Sequence, residues 1–388
     1  MDGGAGVLIA LGWWSLGTVL HWATAAIARH GRRPVLPRHG AGDFSIVAPM
    51  NGAADASPAY VNALADLAQA GAEVLICVAA EDDGATAPAR SLWRARLGGE
   101  APMLVGLSDT FNPKMNNVRK GLEAARRPVV ALCDAGIAVD LEELRAAAAP
   151  LSSEVGLVLA LKLGAEPDGF AAEMERAWLN GHQARFLLAA DRVGMAVASG
   201  GITLLEHATL QRIGNWEGFN RWIADDYSVV RSVRELGLKT ILSHRLPRLP
   251  LGRRDWPTVW RRQVRWARTR LRLPVWPVVA LEPLVGGSLA GLAGALALAG
   301  LGAEPGMIAG FVAVHAMAWL GAEKWFLAGL GLGFGPRAAL ASLTREALAP
   351  LLMIQALASR TIDWRGADLG GRWHTIGAAE ARRPGDGG

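Results

Sequence analysis

Carboxylates follow two separate apolar segments, at the positions where strands of a sheet would end. Residues 81–83 (Glu-Asp-Asp) come shortly after the segment 73–78, and Asp134 comes directly after residues 128–133. The carboxyl ends of strands in an open α/β sheet form its ligand-binding edge, so we expect these side chains at one edge. Such carboxylates repel each other unless a cation joins them, which predicts a site for Mg²⁺ or Mn²⁺ and substrate phosphates.

A third acidic pair, Asp225-Asp226, begins a helical pattern that runs to Glu235. The pair fits a catalytic role, because a carboxylate can accept a proton from a weak nucleophile. It also fits a helix N-cap, which is a common position for Asp. Residues 81–83 likewise fit a solvated turn. The sequence leaves these alternatives open for each cluster by itself.

A basic segment lies at the end of the same region. Residues 261–270 carry five arginines and, if helical, place Arg262 and Trp266 on one face at i, i+4. Arginine makes planar bidentate contacts to phosphate, and a juxtamembrane basic patch is attracted to anionic lipid. Both roles are compatible with this segment. Nucleic-acid binding is disfavoured because the charge is local and apolar segments surround it.

The elements that position these residues alternate between strands and helices. We predict strands at residues 44–48, 73–78, 103–107 and 128–133, and helices at 58–70, 115–126, 140–149 and 170–190. This alternation is typical of βαβ units and a mostly parallel sheet. Residues 40–270 therefore form one α/β domain of ordinary size.

The composition excludes several classes of protein. The chain has 388 residues, of which 51% are hydrophobic and 19% charged, with a formal net charge of +5. A disordered chain needs lower hydrophobicity and higher net charge. A disulfide scaffold is excluded because the chain contains only two cysteines.

Long apolar segments lie at both ends of the α/β region. Residues 6–28 carry no formal charge and are long enough to span a bilayer, and Arg29, Arg32, Arg33 and Arg38 follow them. Positive charge marks the cytoplasmic side of a span, so the N-terminus is expected outside and the α/β domain inside. Residues 275–302 and 306–322 are further candidate spans. The run 347–358 is short, and fits a re-entrant or interfacial segment equally well.

In order along the chain, several motifs resemble those of the ceramide glucosyltransferases. These motifs are the acidic clusters, Asn-Pro-Lys-Met-Asn-Asn at 112–117, Cys-Asp-Ala-Gly at 133–136, Gly-Gly-Ile-Thr-Leu at 200–204, Asp-Asp-Tyr at 225–227 and Arg-x-x-Arg-Trp at 262–266. The resemblance implies a GT-A fold, related to the Rossmann fold, flanked by transmembrane helices. It also implies inverting transfer of a hexose from a UDP-sugar to a lipid in the bilayer.

The resemblance assigns roles to individual positions. Asp83, or Asp82, would contact the uridine of the donor, and Asp134 would bind the metal, Mg²⁺ or Mn²⁺, beside the diphosphate. Asp226 would be the catalytic base. The other implied donor-binding residues are Lys114, Asn116, Arg262, Arg265 and Trp266, and the implied acceptor-binding residues are Gly200, Gly201, Asp225 and Trp266. Many related transferases carry a second Asp where this chain has Gly136.

These observations predict four regions. Residues 1–30 are a transmembrane anchor, 40–270 a cytosolic catalytic domain that ends in an interfacial basic helix, 275–360 transmembrane or re-entrant helices and 361–388 a polar tail. The bacterial inner membrane is the expected location. The leading hypothesis for the acceptor is ceramide. A hopanoid that receives N-acetylglucosamine, a diacylglycerol that receives a hexose, and a non-catalytic protein that binds a nucleotide-sugar are the alternatives.

Overall fold

Apolar strands between residues 44 and 242 form one seven-stranded sheet. The computed structural model describes residues 3–30, 34–107, 110, 113–364 and 367–368, so the tail from residue 369 and the predicted basic residues Arg32 and Arg33 lie outside the described residues. The strands are β1 (Phe44–Pro49), β2 (Glu73–Val78), β3 (Met103–Val105), β4 (Val129–Cys133), β5 (Val155–Leu161), β6 (Leu163–Asp168), β7 (Gly201–Glu206), β8 (Lys239–Leu242), β9 (Arg248–Arg253), β10 (Asp363–Trp364) and β11 (Ala367–Asp368).

The order of strands in this sheet is β3-β2-β1-β4-β7-β5-β8. All neighbouring pairs are parallel except those of β7, which runs antiparallel to both β4 and β5. The predicted mostly parallel α/β sheet is therefore confirmed. The antiparallel β7 was not predicted from residues 200–204, whose two glycines fit a turn. Two short sheets pair β6 with β9 and β10 with β11.

Helices are present in all four ranges predicted for the α/β region, whereas the helices at 86–97 and 207–212 were not predicted. The helices are α1 (Gly3–Arg29), α2 (Pro58–Gln69), α3 (Thr86–Leu97), α4 (Pro113–Ala124), α5 (Leu141–Ala148), α6 (Phe170–Arg176), α7 (Arg185–Arg192), α8 (His207–Arg212), α9 (Asp225–Glu235), α10 (Trp256–Arg270), α11 (Trp276–Leu281), α12 (Gly287–Gly300), α13 (Pro305–Gly329) and α14 (Pro336–Leu357). The predicted helix at 170–190 contains a π-helical segment, Ala177–Ala184, between α6 and α7.

Both faces of the large sheet are covered, as expected when parallel strands are apolar on both sides. Ile46 of β1 belongs to the core that Leu64 of α2 and Trp93 of α3 complete. On the other face α4 packs directly on the sheet. A Cβ added at Gly121 of α4 would lie 2.9 Å from Cys77 Sγ, so glycine allows this close approach.

The chain divides into two compact units. Unit 2 comprises residues 32–165, 194–250 and 361–388 and contains the seven-stranded sheet. Unit 1 comprises residues 1–31, 166–193 and 251–360 and is largely helical.

Unit 1 contains the helices that are candidates to cross a membrane. Within the described residues, three helices are long and apolar enough: Gly4–Arg29, Pro305–Gly329 and Pro336–Leu357. A fourth candidate is the pair Trp276–Val285 and Gly287–Gly300, which is bent by 50° and is either a broken span or a re-entrant loop.

Charged residues interrupt the apolar pattern of α13 and α14, and these residues pair with each other. Arg345 of α14 is buried, and its guanidinium donates to Glu323 of α13 at 2.8 Å and to Glu346 at 2.7 Å. Glu346 also accepts the backbone N–H of Gly287. Residues 347–357 therefore form the C-terminal half of α14, a 22-residue helix that begins at Pro336. Arg345 and Glu346, which precede the run, lie inside the same helix.

A second buried carboxylate joins α6 to α10. Glu175 is fully buried; Arg262 of α10 donates to its Oε1, and the Nε of Arg254 lies 3.4 Å from its Oε2. Burying a carboxylate costs several kcal/mol unless cations compensate it. Arg262 therefore has a structural role in unit 1, beside any role at the donor.

We expect Arg262→Met to lower the free energy of unfolding by about 3 kcal/mol, because Glu175 would lose one of its two cations. Thermal unfolding of the purified protein in detergent measures the change, and adding Glu175→Gln should recover most of it. Arg261→Met is the matched control, since Arg261 is exposed on the same helix. Equal stability of the two single variants would contradict this role.

Candidate active site

Three chain segments meet at the carboxyl edge of β4. Asp134 follows β4, Lys162 follows β5 in the same way, and Gly201 begins the antiparallel β7 that lies between these two strands. The backbone N–H of Asp134 donates to the carbonyl of Gly201 at 2.9 Å. The sheet order therefore brings a carboxylate and an ammonium group to one edge from opposite sides of β7.

Glycine leaves the space in which these two side chains meet. The Nζ of Lys162 donates to Asp134 Oδ2 at 3.1 Å. A Cβ at Gly200 would lie 2.9 Å from the same carboxylate oxygen, and one at Gly201, whose φ is +153°, would collide with the carbonyl of Ala160. The predicted acceptor role of Gly200 and Gly201 stays a prediction; in the fold Gly200 makes room for the side chain of Asp134, and Gly201 makes room for the backbone of Ala160.

Lys114 links Asp134 to the acidic pair of α9. Its Nζ donates to Asp134 Oδ1 at 2.9 Å and to Asp225 Oδ2 at 2.6 Å. All three side chains are less than one-fifth exposed. The first turn of α4 and the first turn of α9 are thus held together at the edge of the sheet by one ammonium group.

The charges in this cluster determine its protonation states. Burial by itself would raise the pKa of Asp134, but the ammonium groups of Lys114 and Lys162 outweigh burial and hold that pKa well below its usual range. Burial by itself would lower the pKa of Lys114, and Asp134 and Asp225 instead raise it well above the usual value. Asp134 and Lys114 are therefore both ionised at neutral pH.

Asp226 lies in a different environment from Asp225, its neighbour. Burial, together with the charge of Asp225, raises the pKa of Asp226 to about 6, although Lys114 and the backbone N–H of Tyr227 act in the opposite direction. The N-cap residue of α9 is Ala224, with no side-chain cap, so neither aspartate has that role. Asp226 is therefore a carboxylate with the pKa of a general base near neutral pH.

Asp83 organises the loops at the end of β2. Its Oδ1 accepts the backbone N–H groups of Gly52 and Ala85, both at 2.8 Å. Asp82 is exposed. The side chain of Lys120 donates to the carbonyls of Val78 and Gly106 at the same edge. A uridine contact by Asp83 or Asp82 stays a prediction.

Asn116 and the residues before it shape the start of α4. The amide oxygen of Asn116 accepts from the hydroxyl and backbone N–H of Thr110 at 2.7 and 3.2 Å. Asn112, the first residue of the predicted motif, lies outside the described residues. The contacts tie Thr110 to α4, and a donor contact by Asn116 stays a prediction.

Arg262, Arg265 and Trp266 lie on α10, in unit 1. Arg262 is paired with the buried Glu175, as described above, whereas Arg265 and Trp266 are half-buried. Their predicted contacts with the donor diphosphate and the acceptor stay predictions.

The oxygen atoms of Asp134 suit a hard divalent cation, and the side chain is 19% exposed at a strand end. Among the described residues, no group of three His, Cys, Asp or Glu side chains is placed to hold a metal. Gly136 has φ +82°, a conformation that favours glycine over a second Asp. A divalent cation at Asp134 would therefore need further ligands besides the His, Cys, Asp and Glu side chains that the structure describes.

Lys162 is the residue of this cluster that the sequence did not predict. A usable signal was present, because Lys162 is the first residue after the apolar segment 155–161, just as Asp134 follows 129–133. The rule that ligands bind at the carboxyl ends of strands applies to cations as well as to carboxylates.

Comparisons with known proteins agree with the predicted resemblance. Ceramide glucosyltransferase 1 of Caenorhabditis elegans is 28% identical over 174 residues, 44% of this chain and 37% of the relative. Ceramide glucosyltransferase 3 of the same organism is 24% identical over 301 residues, 76% of this chain and 65% of the relative. The chain thus matches less than two thirds of the length of either relative.

The fold is similar to that of a solved structure, the mannosyltransferase PcManGT from Pyrobaculum calidifontis in complex with GDP-Man and Mn²⁺. The TM-score is 0.54 at 16% identity, and the match covers 91% of this chain and 97% of the other. The predicted GT-A fold is confirmed. The family model of glycosyl transferase family 21 matches residues 7–376, and the chain therefore belongs to that family.

Proposed function

We propose that this protein is a membrane-bound inverting glycosyltransferase that moves a hexose from a UDP-sugar to a lipid hydroxyl, with ceramide as the leading acceptor. The observation that carries the proposal is the position of Asp226. This carboxylate has a pKa of about 6 and lies next to Asp225, which binds Lys114 and through it Asp134. The ceramide glucosyltransferases among its relatives support the choice of acceptor.

The chemistry requires a base and a means to accept charge on the leaving group. An alcohol is a weak nucleophile, so Asp226 accepts the proton of the lipid hydroxyl as the hydroxyl oxygen attacks the anomeric carbon. The bond from that carbon to the diphosphate breaks in the same displacement, which inverts the anomeric configuration. Lys114 and Lys162 stabilise the negative charge that develops on the diphosphate.

A divalent cation fits beside these lysines. When bound through Asp134 and the donor phosphates, it would neutralise part of the charge on the leaving group. In this proposal Lys114 and Lys162 bind the diphosphate, and Asp226 accepts the proton.

The candidate spans of unit 1 give a reason for a lipid acceptor. A lipid keeps its hydroxyl near the headgroup layer, so an enzyme anchored in the same bilayer meets this hydroxyl without extracting the lipid. The arginines and tryptophans of α10 suit the headgroup layer of an inner membrane, with the catalytic domain in the cytoplasm.

Purified protein in lipid nanodiscs tests the proposal. We expect sugar transfer from one donor of a panel (UDP-glucose, UDP-galactose, UDP-N-acetylglucosamine and GDP-mannose) to one of three acceptors (ceramide, diacylglycerol and a hopanoid). Mass spectrometry detects the product. Asp226→Asn should lower turnover at least 100-fold with donor binding retained, because only proton transfer is lost. Full turnover by this variant would refute the role of Asp226 as the base, and the absence of transfer for every pair of donor and acceptor would refute the proposed activity.

The pH profile should report the base. We expect log kcat/KM to rise with unit slope up to about pH 6 and to level off above it, because Asp226 must be deprotonated to accept a proton. Asp225→Asn should move this limb to lower pH, since it removes the neighbouring negative charge that raises the pKa of Asp226. A limb that stays in place in this variant would contradict the assignment.

Asp226 should also reduce the stability of the fold. Its pKa in the folded protein lies above the ordinary 3.8, so ionising it disfavours folding progressively as the pH rises from about 4 to 6. Asp226→Asn should therefore raise the free energy of unfolding by about 1–3 kcal/mol at pH 7.5, and by little below pH 4. Asp225→Asn is the control and should be destabilising, because Lys114 loses a partner. A less stable Asp226→Asn would contradict this account.

A further inference from the structure

We propose that Lys114 and Lys162 compete with a divalent cation for Asp134, so that the cation binds tightly only together with the diphosphate of the donor. This inference rests on the proposed function and concerns the donor-free state of the same site. It assigns to Lys162, which has no role in the predicted motifs, a part in the order of binding.

Both oxygens of Asp134 are already in use. Oδ1 accepts from Lys114 at 2.9 Å, and Oδ2 accepts from Lys162 at 3.1 Å. Each lysine side chain is only about one-fifth exposed, at 18% and 20%. A cation that approaches this carboxylate must displace or adjoin an ammonium group at either oxygen.

Two ammonium groups already offset two of the carboxylates of this cluster without a metal ion, and Asp226 adds a third negative charge above about pH 6. Lys114 and Lys162 offset the negative charges of Asp134 and Asp225, and Lys114 contacts both carboxylates. A divalent cation beside Asp134 would face two like charges at close range in a site shielded from water, where such repulsion is strong. The donor-free protein therefore binds the cation weakly.

The donor changes this balance because its diphosphate provides new partners for the lysines. A lysine ammonium is a compact charge with three donors on a flexible stem, and it can turn from a carboxylate to a phosphate. When Lys114, Lys162 or both do so, oxygens of Asp134 become available to the cation, and the diphosphate supplies further oxygen ligands. Donor and cation consequently bind with positive cooperativity.

Mn²⁺ binding to the full chain without any nucleotide tests the proposal directly. Electron paramagnetic resonance of unbound Mn²⁺ gives the affinity of the wild type and of Lys114→Gln and Lys162→Gln, each in nanodiscs. We expect at least a tenfold gain in Mn²⁺ affinity for either variant, and loss of that gain when Asp134→Asn is added. Lys239→Gln, which removes an exposed lysine paired with Glu154, is the control and should leave the affinity unchanged.

The possible outcomes of this experiment distinguish competition for Asp134 from its absence. A gain that depends on Asp134, in either folded lysine variant, supports the competition, and circular dichroism establishes which variants are folded. Unchanged or weaker Mn²⁺ affinity in both variants, or a gain that persists with Asp134→Asn, overturns it. Because no sugar is transferred in this assay, its failure is distinct from a failure of the proposed function, which the transfer assay detects.

Discussion

The contact of Lys114 with Asp134 and Asp225 is the interaction on which the site depends. It joins the end of β4 to the first turn of α4, the helix just before it, and to the first turn of α9, which is far away in sequence. Without a cation between them, the carboxylates of Asp134 and Asp225 would repel each other. Burial and the charge of Asp225, the partner of Lys114, are the main causes of the raised pKa of Asp226.

The arrangement shows how one sheet edge can hold carboxylates of opposite behaviour. Asp134 faces two ammonium groups and stays ionised, whereas Asp226 faces a carboxylate in a buried position and ionises only near pH 6. Environments that push the pKa values of titratable groups apart are typical of acid–base sites. Gly200 contributes by leaving space, because a Cβ there would crowd the carboxylate of Asp134, and Gly201 allows the close approach of the Ala160 carbonyl.

Sequence patterns predicted the elements better than the contacts. Apolar runs and turn signals located β1, β2 and β4 together with α2 and α4, because burial of both sheet faces demands those patterns; α3 was not predicted. The antiparallel β7 escaped prediction, since nothing local in its sequence determines the direction of a strand. Ion pairs such as Arg262 with Glu175 were not predicted either, because a charged residue on a helix does not indicate which residue it pairs with. Lys162 could have been found by treating every strand end alike.

The ion group of Arg345, Glu323 and Glu346 has a consequence for how the C-terminal helices enter a bilayer. Each of α13 and α14 carries ionisable groups that find their partners on the other helix, and a link of six residues joins the two. A single helix moving alone from the translocon into lipid would expose an uncompensated charge to hydrocarbon. Insertion of these two candidate spans as one hairpin would keep the carboxylate of Glu323 beside Arg345.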